Sequence, residues 1–187
     1  MHRVEGLASE TDSFPVEALE GWAAANGATF LGGAWSFLLP PGMLGRCVPP
    51  AGGGLVHLNR DHASDWALIK ALVDTSDPDD LEAADITMDA LAPQIIGLTD
   101  GEGRLAAFAS EQPWEYAPEF GDIAVLVRAD KRNGGWGRAV VSTLCRDLLE
   151  RGRLPLYRCN WGREPSRRLA LAVGFRQNTS LAALRFD

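Results

Sequence analysis

Long apolar runs are missing from this sequence of 187 residues, so no helix of membrane-spanning length is expected, and no membrane partner with it. Cysteine is scarce. Cys47, Cys145 and Cys159 are widely spaced and odd in number, which argues against a disulfide scaffold and for buried thiols in a reducing compartment. The histidines, His2, His57 and His62, fall in no ligand spacing, so no metal site is expected. Met1, His2 and Arg3 lead into Val4, Glu5 and Gly6 rather than an apolar signal core, and the expected location is cytoplasmic. There is no internal repeat and no recognisable RNA- or DNA-binding motif. With a net charge of −7, nucleic acid is not an expected partner.

What is present is the composition of an ordinary globular protein, 46% hydrophobic and 23% charged, and long enough for one well-buried domain. Its charge is uneven. Residues 1–120 hold 5 basic and 19 acidic side chains, whereas residues 121–187 hold 13 basic and 6 acidic. Either these charges only solvate the surface, or a basic half takes a phosphorylated ligand while an acidic half draws a cationic amine.

Along the chain, Ser13 and Pro15 have the chemistry of a helix start, and Val16, Leu19 and Ala23 mark its apolar face up to Asn26 and Gly27. Residues 29–39 read as one or two strands, 40–54 as a Pro- and Gly-rich loop, and 55–58 as a short strand. A second helix follows, capped by Asp61 or Ser64, with Trp66, Ile69 and Val73 on one face. Residues 77–80 begin a short helical turn, and 85–93 are ambiguous. Residues 94–110 form a hairpin around Asp100, Gly101, Glu102 and Gly103. Residues 111–120 read as an aromatic and acidic loop.

The stretch 121–139 organises the rest. Residues 123–127 form an aliphatic run without a polar side chain, as in a strand covered on both faces. Gly134, Gly135 and Gly137 follow, and then a helix with Val141, Leu144, Cys145 and Leu148 on one face. Glycines let a ligand approach the backbone, and the helix start offers unpaired N–H groups and a positive dipole end, so this is an anion site suited to phosphate. Arg138 and Ala139 stand where a Walker loop needs Lys and Ser/Thr, and Val140 stands where a dinucleotide fingerprint needs Gly or Ala. Beyond this helix, Gly152 is a stop, 154–159 a strand, Pro165 the first turn of a last helix ending at Gly174, and 180–186 a closing strand. Strand, loop, helix and strand at this spacing imply a right-handed crossover.

What fits is Arg132-x-x-Gly135-x-Gly137. It resembles the acetyl-CoA loop of the GNAT acyltransferase superfamily, Gln/Arg-x-x-Gly-x-Gly/Ala between a strand and a helix. Asn160, Ser166, Leu169, Ala170 and the pair Gly174-Phe175 resemble the segment that follows that loop in the superfamily. Residues 122–127 and 158–160 look closest to the FR47-like branch, and the resemblance spans roughly residues 94–187.

The resemblance implies an α/β fold with a central mixed sheet, two splayed parallel strands and flanking helices. Residues 61–187 would be the acetyl-CoA-binding domain, with 1–60 an extension or the first part of the fold; one domain over the whole chain is the other arrangement. The implied activity is N-acetyl transfer from acetyl-CoA, as donor substrate, to a primary amine of a small molecule or peptide by direct attack. The alternatives are a non-catalytic CoA-binding sensor and an interaction protein on the same fold. Pantetheine would lie along Val125, Leu126 and Val127. The diphosphate would take N–H groups from Arg132, Asn133, Gly134, Gly135, Trp136, Gly137, Arg138 and Ala139. Asn160 and Ser166 would stand near the thiol. Trp136 either covers the cofactor or anchors the loop. Direct attack needs a proton acceptor, for which Asp122 and Glu111 are the candidates. Trp114 and Tyr116 could line an acceptor pocket. Ala170 occupies the place where many family members carry a tyrosine that protonates the leaving thiolate, leaving water or Tyr116 for that role. A homodimer is a family-based expectation.

Overall fold

The computed structural model describes residues 16–45, 47–89, 91–113 and 117–186. The chain divides into two compact units, Met1–Gly32 with Ala182–Asp187, and Gly33–Leu181. In the smaller unit, α1 (Val16–Ala25) buries Leu19 and Ala23, as its apolar face predicts. It stops at Asn26, whose side-chain amide donates to the Trp22 carbonyl at 2.7 Å, and at Gly27, whose φ is +65°. The predicted start signals Ser13 and Pro15 lie outside the described residues.

The strands form a mixed seven-stranded sheet in the order β2-β3-β4-β5-β6-β1-β7. The strands are β1 (Ala28–Leu38), β2 (Gly54–Asn59), β3 (Gln94–Thr99), β4 (Leu105–Pro113), β5 (Phe120–Val127), β6 (Leu154–Asn160) and β7 (Arg176–Phe186). The helices are α2 (Ala63–Asp74), α3 (Pro78–Ala83), α4 (Trp136–Glu150) and α5 (Glu164–Val173). No helix is long and apolar enough to cross a membrane, among the described residues.

Alternation along the strands sends side chains to two cores, one on each face. Ala107, Ala109 and Ile123 pack with Val140, Leu144 and Leu148 of α4 and with Tyr157, Val173 and Phe175. Phe108, Ala124 and Leu126 pack with Ile69, Leu72 and Val73 of α2. The central strand is covered on both sides, as its unbroken aliphatic run predicts.

Three local expectations are corrected. The N-cap of α2 is His62, and it makes no side-chain cap bond. Asp61 and Ser64 do not cap it, and the nearby Asp65 carboxylate instead accepts from the Asn59 N–H at 2.9 Å. Strand β4 runs on to Pro113, paired with β5 through Gln112↔Asp122 and Pro113↔Gly121, where a loop from residue 111 is predicted. Helix α4 begins at Trp136 and so takes in Gly137, where the sequence reading starts the helix only after that glycine, at Arg138.

The turns follow their chemistry. Asp77 caps α3 by accepting from the Asp79 N–H. Asp100 closes the β3–β4 hairpin: its carboxylate accepts from the Glu102 and Arg104 N–H groups, each at 3.0 Å, and from Arg128 at 2.6 Å. Those bonds, that from Arg128 foremost, hold the Asp100 carboxyl well below the usual carboxylate range. Gly174 ends α5 at φ +118°, and the Phe175 N–H returns to the Ala170 carbonyl at 3.1 Å. A Cβ at Gly174 would stand 2.2 Å from the Met43 carbonyl oxygen, so the motif's glycine is required twice over.

Candidate active site

Strands β5 and β6 are parallel, and their ladder is short. It joins Phe120 to Leu154, Gly121 to Pro155 and Asp122 to Leu156, and there it stops. Beyond it β5 keeps its β4 partners as far as Val127↔Ala107, and β6 keeps its β1 partners as far as Asn160↔Ala34. Residues 123–127 and 157–160 therefore face each other across a gap with no ladder between them. The gap opens into a cavity of about 900 Å³.

Helix starts flank this gap at the ends of both strands. The N-cap of α4 is Gly135, in the left-handed region at φ +83° with no side chain to cap the helix. The N-cap of α5, Arg163, makes no side-chain cap bond either. The first-turn N–H groups of α4 have no carbonyl within their own helix to pair with, and the dipole there is positive. Backbone N–H groups, a cradle of small residues and an unladdered strand edge fit a long ligand with phosphates at one end and amide groups along its arm, which is the chemistry of a CoA thioester.

Most of the residues predicted from the sequence come together here. Val125, Leu126, Val127, Arg132, Asn133, Gly135, Trp136, Gly137, Arg138, Asn160, Ser166 and Asp122 all line the cavity. Gly134 and Ala139 do not. Their N–H groups are used internally, by the Lys131 and Gly135 carbonyls. The glycines also serve a purpose other than ligand approach. A Cβ at Gly137 would lie 3.1 Å from Val127 Cγ2 and 3.3 Å from Leu169 Cδ2, so this glycine lets α4 pack against β5 and α5. Trp136 is buried in the α4-side core, with the Lys131 ammonium 5.8 Å from its ring centroid, and acts as an anchor for the loop.

The two candidate bases are separated. Asp122 is buried where the β5–β6 ladder ends, on the α2 side of the sheet, and its Oδ2 accepts from Arg158 Nε at 2.9 Å and from Arg158 Nη2. Glu111 shares the parity of Ala107 and Ala109 and so lies on the α4 side. It is ion-paired to Arg151 at 2.9 Å and to Arg153, and it lines a different cavity with Asp147 and Arg151. Glu111 is thus corrected from base candidate to a buried ion-pair partner at the far end of α4. Trp114 and Tyr116 lie outside the described residues.

Some cavity residues escaped the sequence reading. Tyr157 donates to or accepts from Ser166 Oγ at 2.8 Å, and these two are the hydroxyl-bearing residues lining the cavity among the described residues. Burial pushes the Tyr157 hydroxyl well above the ordinary phenol range, with the Ser166 bond opposing it. Burial also pushes the Cys159 thiol, two residues along on the same face, up to about 11. Alternation in β6 could have placed Tyr157 with Cys159, and Arg158 with Asn160. Nothing local signals Asp80 of α3, which meets Arg132 at 2.5 Å from 52 positions away.

A mixed sheet whose two parallel strands splay beside a glycine loop at a helix start defines the GNAT class of fold. Residues 96–183, just under half of the chain, match the model of the FR47-like protein family. Among solved structures, a GNAT-family protein from Novosphingobium aromaticivorans superposes with a TM-score of 0.63 at 22% identity, over 84% of this chain and 66% of that one. A GCN5-related N-acetyltransferase from Kribbella flavida gives 0.62 at 16% identity, over 89% and 62%. An acetyltransferase of the GNAT family from Colwellia psychrerythraea gives 0.61 at 13% identity, over 89% and 60%. The chain spans about three fifths to two thirds of the length of these proteins. No curated protein matches it.

Proposed function

We propose that the protein is an acyl-CoA N-acyltransferase that transfers an acetyl group from acetyl-CoA to a primary amine of a small molecule or peptide. The observation that carries this reading is the end of the β5–β6 ladder at Asp122↔Leu156, directly below the glycine loop. The donor supplies a thioester carbonyl for amine attack. The chain's own part is to bind, orient and move protons. The unladdered edge at Val125 to Val127 offers backbone N–H and carbonyl groups to an amide-bearing arm. The N–H groups at the start of α4, with Arg132, take the phosphates.

Asp122, at the fork of the two strands, is placed to accept the proton of the attacking amine, directly or through one water, with Arg158 fixing its orientation. A backbone N–H on the open edge would hold the developing oxyanion. The Tyr157–Ser166 hydroxyl pair lies in the same cleft and can hydrogen-bond the departing thiolate, which takes its proton from water. The cytoplasm is the compartment that fits such a donor and free thiols.

A second reading, a CoA-binding sensor without turnover, is favoured by two observations: Asp122 is engaged by Arg158, and Ala170 offers no hydroxyl. Calorimetric titration with acetyl-CoA and CoA tests the site itself, and release of free thiol with a panel of amines tests turnover. Micromolar binding with thiol release supports the transferase. Binding without release by any amine supports the sensor, and no binding of either ligand overturns both.

A further inference from the structure

Helix α3 contributes no buried residue of its own. Its Leu81 is partly buried against the α2-side core, and side-chain ion pairs tie its rim to the loops after β5 and β6. Asp80 is the centre of that attachment. Its Oδ2 meets Arg132 Nη2 at 2.5 Å and its Oδ1 lies 3.8 Å from Arg163 Nη1, while Arg163 Nη2 donates to the neighbouring Asp79 carbonyl at 3.0 Å. Arg132 belongs to the loop after β5 and Arg163 to the loop after β6. The two arginines therefore stand on the two sides of the splayed gap, and all three residues line its cavity.

We infer that Arg132 and Arg163 form a two-armed anion seat at the mouth of the cleft, separate from the N–H groups of the glycine loop, and that Asp80 occupies this seat in the free protein until a phosphate of the ligand displaces it. This rests on the reading of the cleft as a CoA site.

The energetics suit an exchangeable contact. The three side chains are 45%, 43% and 25% exposed, and ion pairs with that much solvent are weak. The diphosphate as a whole, or the 3′-phosphate, carries about two negative charges against one for a carboxylate and presents more oxygens to a guanidinium fork, so it wins the two arginines once it arrives. Asp80 then has no partner at the rim, and α3 is freed from the loops. The chain's own carboxylate stands in for the ligand, keeping two cations and α3 in place, at some cost in affinity for the ligand.

The test is calorimetry of the full chain with CoA and with dephospho-CoA, on wild type, Asp80→Asn and Arg163→Gln. Removing the competitor should tighten CoA binding in Asp80→Asn by about three- to tenfold, and removing one arm should weaken it in Arg163→Gln by a similar factor. If the Arg163→Gln loss persists with dephospho-CoA, the seat takes the diphosphate. If it vanishes, the seat takes the 3′-phosphate. Unchanged or weaker CoA binding in Asp80→Asn overturns the proposal.

Should wild type bind no CoA species, the proposed function fails first, and hydrogen exchange of residues 78–83 in the free protein judges the latch alone. Faster exchange in Asp80→Asn than in wild type, and in wild type on adding inorganic pyrophosphate, supports it. Equal rates in both comparisons overturn it.

Discussion

The lower and upper halves of the β5–β6 pair belong to the same two strands and do opposite things. In the lower half, Gly121 and Asp122 pair with Pro155 and Leu156, and the space beside Gly121 is filled by Leu148 of α4. In the upper half the same two strands carry a row of backbone groups toward each other without joining. Each strand is held there by its outer neighbour, so the gap costs no further disorder. A sheet normally satisfies its own backbone, and an unladdered stretch held rigidly on both sides is a binding edge waiting for an extended partner. The fork between the halves is where Asp122 sits. A carboxylate at that point is anchored by the closed half and faces the open one.

The largest expected effect is at the fork. Asp122→Asn should lower kcat by about 100- to 1,000-fold, the range for loss of a general base, while shifting acetyl-CoA affinity less than about threefold. An unchanged kcat would remove Asp122 as proton acceptor, and an equal loss in affinity would show that it serves the open edge instead.

The open half should also be chemically shielded from alkylation. With its thiol raised to about 11 from an ordinary 9, Cys159 holds about a hundredfold less thiolate at pH 8 than an ordinary cysteine. Raising the pH toward 11 should restore it. Mass spectrometry after iodoacetamide treatment at pH 8 should find the half-exposed Cys47 modified first and the buried Cys159 much more slowly. Equal rates would mean that the face of β6 carrying Tyr157 and Cys159 opens to solvent.

Above the open half, Gly135→Val should weaken CoA binding about 10- to 100-fold, because a β-branched residue resists the φ of +83° needed at the α4 N-cap. Its nearest neighbour for a Cβ is Pro50 at 3.8 Å, so the loss would come from backbone geometry, with little from crowding. Retained affinity by calorimetry would show that the helix start is not part of the phosphate site.

The sequence made the closed, local features legible. The aliphatic run of β5, the glycine loop, the amphipathic face of α4 and the Gly174-Phe175 cap are each written in fewer than about twenty consecutive residues, and each forms as its pattern demands. The glycine motif falls in the expected place, and packing at Gly137 and the positive φ at Gly135 give those two positions a need for glycine that the pattern alone did not signal. What stayed hidden is set by pairing across distance. Glu111 reads as a loop carboxylate until β4 is seen to continue past it, and period-two alternation then sends it to the α4 face and the arginines there. Alternation puts Arg158 on a face with Asn160 but does not point to its partner Asp122, 36 positions away, and Asp80 carries no local signal for Arg132, 52 positions away.

The smallest effect is expected in the closed half, and it separates stability from function. A Cβ added at Gly121 would meet Leu148 Cδ2 at 2.5 Å and Cδ1 at 2.9 Å, and Leu148 is fully buried. The leucine must change rotamer in a packed core or push α4 outward, a strain of about 1–2 kcal/mol that the better strand propensity of alanine offsets only slightly. Gly121→Ala should therefore lower Tm by about 2–8 °C in a scanning calorimeter. The open half begins one residue beyond the last β5–β6 pair and takes its support from β4 and β1, so CoA affinity should change less than about twofold. A large loss of affinity in this variant would mean that the fork is not a boundary, and that the position of α4 sets the width of the gap above it.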